Sequence, residues 1–179
     1  EAPAFVRALG ALPSSVEPMA ALPDAVLFKG TVAPEIKAAM GLRIAQVNGS
    51  PYVAAHMLRV LKGHDRGSVL RSAMDGSTGS RLSTSEQVAL RYAEILTRTV
   101  NLAPSDFERV AATFNDSEIV ELTMTVSFFN FFTRYTEALN LDEQQRLLDP
   151  MYKAAVEKED AHDFAGALGG SLAGDASVA

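Results

Sequence analysis

Apolar residues recur at helical spacing along most of this chain, and no stretch alternates apolar and polar residues convincingly as a strand does. That regularity narrows the fold to helices packed on helices. The breaks between periodic stretches are equally informative. Pro34 stands at a helix-start position, and Ile36, Met40, Ile44 and Val47 follow as an apolar stripe. Asn48-Gly49 ends that helix, because both residues tolerate the left-handed conformation of a C-cap. Ser50-Pro51 starts the next one at once, with Ser as N-cap and Pro at the first position. Val53, Met57, Val60 and Leu61 supply its apolar stripe, while Tyr52, His56 and Arg59 share a different face. Lys62-Gly63 closes it.

The flanking regions follow the same logic. Residues 1–30 are rich in Ala, Leu and Pro (Pro3, Pro13, Pro18, Pro23), which predicts short helical pieces broken by turns. After a short segment around Val69 to Met74, Asp75–Ser80 is the clearest loop. Ser83 with Glu86, or Thr84 with Gln87, forms a capping box ahead of Val88, Tyr92, Ile95 and Leu96. A shorter helix aligns Phe107, Val110, Ala111 and Phe114. Asn115 with Glu118 then caps the longest helix, which is apolar on nearly all sides. It is expected at the buried centre of the fold or of a subunit interface. The expected organisation is one all-α domain over residues 1–150, with a charged weak helix and a flexible end over 151–179.

Composition removes whole classes of function. With 22 acidic and 16 basic residues the net charge is −6, and no Lys/Arg block interrupts it. Nucleic acid and anionic membrane are therefore not expected partners. No apolar run approaches the ~18 residues of a membrane span. The chain begins at Glu1 without a Met, which leaves export open; a cytoplasmic location is otherwise expected. There is no cysteine, so these residues alone form no disulfide, thiolate metal site or thiol peroxidase cycle. His56, His64 and His162 are widely spaced, and neither a metal nor another cofactor is expected.

The residues that carry chemistry each have two readings. Ser50 is a hydroxyl at a helix N-terminus, a nucleophile or simply the N-cap. His56, one turn after Tyr52, is either an imidazole that moves protons or a buried, hydrogen-bonded histidine. In the long helix Asn130 and Arg134 share a face at i, i+4, pairing within the fold or across an interface. Glu121 is a partner of that kind or a carboxylate with a raised pKa. The Phe128, Phe129, Phe131, Phe132 cluster is core or subunit contact rather than a cofactor box.

Two stretches together resemble a known superfamily. "EIKAAMGLRIAQVNGSPYVAAHM" is similar to the core motif of the carboxymuconolactone decarboxylase and alkylhydroperoxidase D-like proteins. There a helix ends in Asn-Gly or similar and the next begins with Cys-x-x-Cys-x-x-x-His. "TSEQVALRYAEILTRTVNLAPSDFERVAATFNDSEIVELTMTVSFFNFFTRYTEALNL" is similar to the second half of the same proteins. The resemblance covers roughly residues 33 to 141. It implies an all-α, single-domain alkylhydroperoxidase D-like fold that assembles as homo-oligomers, trimers or hexamers.

The departures from that pattern matter more. Ser50 stands where the first Cys belongs and Val53 where the second does, with His56 arriving one residue early. Alignment on the His instead puts Gly49 and Tyr52 at the two positions. The upstream Glu of the peroxidase branch falls at Lys37 or Ala38, and Glu35 is out of register by a fraction of a turn. A Ser hydroxyl does not replace a thiol in that cycle. The chain looks most like the cysteine-free branch, with Gly-Ser-x-Tyr followed by a His. By that resemblance His56, Tyr52 and Ser50 are the candidate catalytic residues. Arg43, Asn130, Arg134 and Glu121 are candidates for binding a small, anionic or lactone-like molecule. A catalytically silent member that binds a ligand or partner is the alternative, and an alkylhydroperoxidase-type antioxidant is disfavoured.

Overall fold

The computed structural model describes residues 4–74 and 82–141. The loop expected at Asp75–Ser80 and the tail expected at 151–179 lie outside the described residues. Eight helices and no strand occur among them: α1 (Ala4–Leu9), α2 (Pro13–Phe28), α3 (Pro34–Asn48), α4 (Pro51–Lys62), α5 (Gly67–Met74), α6 (Thr84–Thr99), α7 (Pro104–Ala111) and α8 (Asp116–Ala138).

The caps explain why the helices begin and end there. Gly49 adopts φ 68, ψ 36, the left-handed turn that a side chain resists, and Ser50 Oγ accepts the Val53 N–H to open α4. Ser83 with Glu86, not Thr84 with Gln87, builds the capping box of α6, and Asn115 with Glu118 builds that of α8. Glu86 also receives both arms of Arg66, at 3.0 and 2.6 Å. Two expectations are corrected. Pro18 and Pro23 do not break α2, which runs unbroken from Pro13 to Phe28. Each ring removes one backbone bond; Pro18 lies on the exposed face and Pro23 is packed into the core, so apolar burial offsets the loss. On α7 only Val110 is buried, with Phe114 just beyond it, while Phe107 is 48% exposed.

The centre of the fold is α3, packed chiefly on α4, α6 and α8. Lys37 to Leu42, Ile44 and Ala45 are all buried. Ala38, Ala39, Gly41 and Ala45 let the neighbouring helices approach from several sides. A Cβ at Gly41 would stand 2.6 Å from the Phe129 ring and 2.9 Å from Met57 Sδ. The expectation that the long apolar helix is the buried centre holds for one side of α8 alone. Leu122, Val126, Phe128, Phe129 and Phe132 face inward, whereas Val120, Met124 and Phe131 are 63%, 52% and 41% exposed. Among the described residues no helix is long and apolar enough to cross a membrane.

Candidate functional site

The α3–α4 corner presents the candidate catalytic side chains. The tight turn at Gly49 returns the Ser50 N–H to Ala45 O at 2.8 Å, so α4 starts directly against the end of α3. Ser50 is buried, and its hydroxyl is committed twice. It accepts from Val53 N at 3.4 Å and donates to Glu137 Oε1 at 2.5 Å, tying the start of α4 to the end of α8.

Tyr52 and His56 follow on α4, 2% and 5% exposed. Their rings lie 4.8 Å apart, centroid to centroid. Phe132 from α8 meets Tyr52 edge-on at 5.7 Å. Phe5 from α1 stands edge-on to Phe132 at 4.8 Å and to Tyr135 at 5.5 Å. Burial pushes the Tyr135 phenol above its ordinary pKa. The structure therefore brings Tyr52 and His56 together as expected and sets Phe132 edge-on to Tyr52. Arg59, half-buried and one turn after His56, is the basic residue next along the same helix.

The expected binding residues are not gathered around this pair. Glu121 accepts Lys37 Nζ at 2.7 Å and the backbone N–H groups of Thr31 at 2.9 Å and Val32 at 3.2 Å. Lys37 is wholly buried and also donates to Lys29 O at 2.6 Å. Burial alone would raise the Glu121 pKa, but the Lys37 hydrogen bond and the two amides outweigh it and hold the carboxyl below its ordinary value. This is opposite to the raised pKa considered from sequence. Gly30, at φ 96, lies under the carboxylate, where a Cβ would stand 2.4 Å from it. Glu121 is therefore a clamp on the α2–α3 turn, and it lies about 16 Å along α8 from Phe132.

Asn130 is held between helices. Its Oδ1 accepts Asn48 Nδ2 at 3.1 Å and Arg134 at 2.7 Å, and its Nδ2 donates to Thr97 Oγ1 and Val126 O, each at 3.0 Å. Arg134 is exposed on α8, and two residues separate it from Phe132, which turns it to the far side of the helix. Arg43 Nε lies 3.8 Å from Glu94 Oε2 on α6. Gly41 faces Phe129 and Met57, so Arg43, two residues on, points away from α4 and α8.

Two partners were not singled out from sequence. Glu137 accepts the Ser50 hydroxyl's hydrogen bond, and no local spacing signals a contact across 87 residues. Lys37 was noted only as the occupant of the upstream acid's place, yet here it meets an acid supplied by α8. A lysine inside an otherwise apolar helical face was the available signal. Glu35, the out-of-register alternative, instead lies 3.6 Å from His64 Nδ1. No group of three His, Asp or Glu suited to a metal occurs among the described residues. A small cleft between α6 and α7, floored by Val88, Tyr92 and Ile95 with Arg91, Asp106 and Arg109 on it, includes none of the candidate residues.

The fold has a known counterpart. The crystal structure of an uncharacterized peroxidase-related protein from Silicibacter sp. TM1040 superposes with a TM-score of 0.65 at 18% identity, over 78% of this chain and 75% of that one. No family model matches the sequence, and no curated protein does. At that identity the likeness is one of fold, an all-helical architecture shared with that peroxidase-related protein.

Proposed function

We propose that this chain is a thiol-free relative of the carboxymuconolactone decarboxylase and alkylhydroperoxidase D-like proteins, with His56 and Tyr52 as an acid/base pair acting on a small anionic or lactone-like molecule. The observation that supports it is the contact of a phenol and an imidazole, 4.8 Å apart and buried, at the start of the helix where the peroxidase branch carries its thiols. In a lactone carboxylate, loss of carbon dioxide leaves the bonding electron pair on carbon as an enolate. Tyr52 O–H stabilises the developing oxyanion, and protonated His56 gives the carbon its proton. Their burial keeps water away from both groups, which strengthens both interactions.

The test is carbon dioxide release, or solvent-deuterium exchange, with a panel of lactone carboxylates and 3-oxo acids. His56→Ala is expected to lose about 10²–10⁴-fold in rate and Tyr52→Phe to lose a smaller factor. Turnover that survives in both variants would place the chemistry elsewhere. A second reading, a silent member that binds without turnover, is favoured by the occupation of Ser50, Glu121, Asn130 and Arg134 in contacts of the fold. It predicts thermal stabilisation by a ligand from the same panel with no product.

A further inference from the structure

The cleft between α6 and α7 shares no residue with the candidate site, and its walls are chemically sorted. Val88 and Ile95 from α6, with Leu102 from the turn that follows, are half-buried and leave apolar surface open. Tyr92 adds chiefly its ring, because its hydroxyl is paired with Thr123 Oγ1 at 2.7 Å. Arg91 stands on the α6 side, and Asp106 and Arg109, one turn apart, on the α7 side. The enclosed part holds no more than about one water, so a ligand rests across the mouth. That mouth is preformed. Val100, exposed and β-branched, is held at φ 65, a conformation that costs such a residue energy. Thr99 Oγ1 ties the same turn to Ile95 O at 2.8 Å and to Asn101 O at 2.6 Å, which sets Leu102 against the cleft.

Charge at the rim selects the ligand. Asp106 Oδ1 accepts Arg91 Nε at 3.4 Å and Nη2 at 3.3 Å, a long and water-exposed pair that is weak but neutralises one arginine. The exposed guanidinium of Arg109 has no partner among the described residues; only its backbone carbonyl is used, by Thr113. Two arginines against one aspartate leave one positive charge here, on a chain whose net charge is −6. A planar guanidinium takes a carboxylate through two parallel N–H bonds. An apolar body beside that carboxylate removes Val88, Ile95 and Leu102 from water. Asp106 repels a second negative charge, which sets dianions such as phosphate apart. We propose that the α6–α7 cleft binds a small monocarboxylate with a compact apolar body, a single ring or a branched chain, through Arg109. The proposal stands apart from the acid/base reading, since it uses none of that site's residues.

The test is an amide-resolved NMR titration of the full chain with benzoate. Saturable shifts are expected in α6, α7 and the turn between them. Benzamide, which has the ring without the charge, and acetate, which has the charge without the ring, are both expected to bind more weakly. Inorganic phosphate is expected not to compete. Arg109→Gln, at an exposed position, is expected to weaken benzoate by about tenfold or more, the worth of a charge-assisted pair. Arg71→Gln, which removes an exposed arginine of α5, is expected to leave binding unchanged. Val88→Thr, which keeps the shape of the floor and adds a hydroxyl, is expected to weaken it by a smaller factor. Benzamide binding as tightly as benzoate would overturn the assignment. Equal losses in Arg109→Gln and Arg71→Gln would overturn it too, since they mean a general attraction of anions. Shifts confined to α4 would overturn it while leaving the acid/base site standing. Saturable shifts in α6 and α7, in a chain that turns over no lactone carboxylate, would support the cleft and count only against the acid/base reading.

Discussion

Helices α3 and α8 contrast in a way that average apolarity does not foretell. In sequence α3 shows a single stripe with Lys37, Arg43 and Gln46 between its apolar residues, while α8 is apolar on nearly every side. In the fold α3 is buried over most of its length and α8 keeps an open face. Size explains the reversal. Ala38, Ala39, Gly41 and Ala45 bring other helices into contact around α3, so even Lys37 is enclosed. The Phe, Leu and Met residues of α8 hold neighbours at a distance and fill one side only. A central helix is marked by small residues on several faces, and a long apolar helix marks a surface that packs once inside and has apolar area left over.

The sharpest way to break this contrast is at the buried ion pair between the two helices. Glu121→Ala would leave the Lys37 ammonium buried with no carboxylate and the Thr31 and Val32 amides with no acceptor. Loss of one partner of a buried pair costs about 3–5 kcal/mol. Lys37→Met is expected to cost less, because the Glu121 side chain is 16% exposed and keeps both amides. Urea unfolding of the two variants checks the order, and the reverse order would show that Lys37 is not held as described. The pH dependence follows from the same pair. The Glu121 carboxyl is held below its ordinary value of 4.5 in the folded chain, so it contributes stability above that pH and loses it as pH falls through the folded value. Glu86, lowered through Arg66 and the Ser83 cap against the opposing effect of burial, acts in the same direction. Acid unfolding below about pH 4.5 should therefore flatten in Glu121→Gln.

How far sequence reaches can be judged on these same elements. Helix boundaries were legible wherever chemistry is local: Asn48-Gly49, Ser50-Pro51, Ser83 with Glu86 and Asn115 with Glu118 all do what their spacing requires. The adjacency of Tyr52 and His56 was legible for the same reason, being one turn of one helix. The edge-on contact of Phe132 with Tyr52, and of Phe5 with Phe132, was not, since it depends on how α1 and α8 pack. Nor was the use of Glu121, whose partners lie 84 to 90 residues away in the chain. Side-chain type fixed what each residue is able to do; only packing decided which of them were already occupied.

Two methionines measure the contrast with chemistry held constant. Met40 on α3 is fully buried and Met124 on α8 is 52% exposed. Met40→Ala is expected to cost about 2–5 kcal/mol through lost burial and the cavity left behind. Met124→Ala is expected to stay within about 0.5 kcal/mol, because its side chain is half exposed. Equal midpoint shifts in chemical denaturation would mean that α8 is covered as completely as α3.

An effect smaller than the loss of Met40 tests the junction that joins the two helices through α4. Ser50→Ala removes the N-cap acceptor for Val53 and the donor to Glu137, yet leaves Gly49 and Pro51 to set the turn. Loss of such a cap costs about 1 kcal/mol. Glu137 lies on the exposed side of α8 and regains water, so its lost bond adds little. Turnover, if Ser50 serves only as cap, should persist in Ser50→Ala while the denaturation midpoint falls modestly. A loss of rate as deep as that of His56→Ala, with stability intact, would instead make the hydroxyl part of the chemistry. Ser50 differs from Glu121 in this respect: its contacts fix a helix end, and they still leave it one turn from the Tyr52–His56 pair.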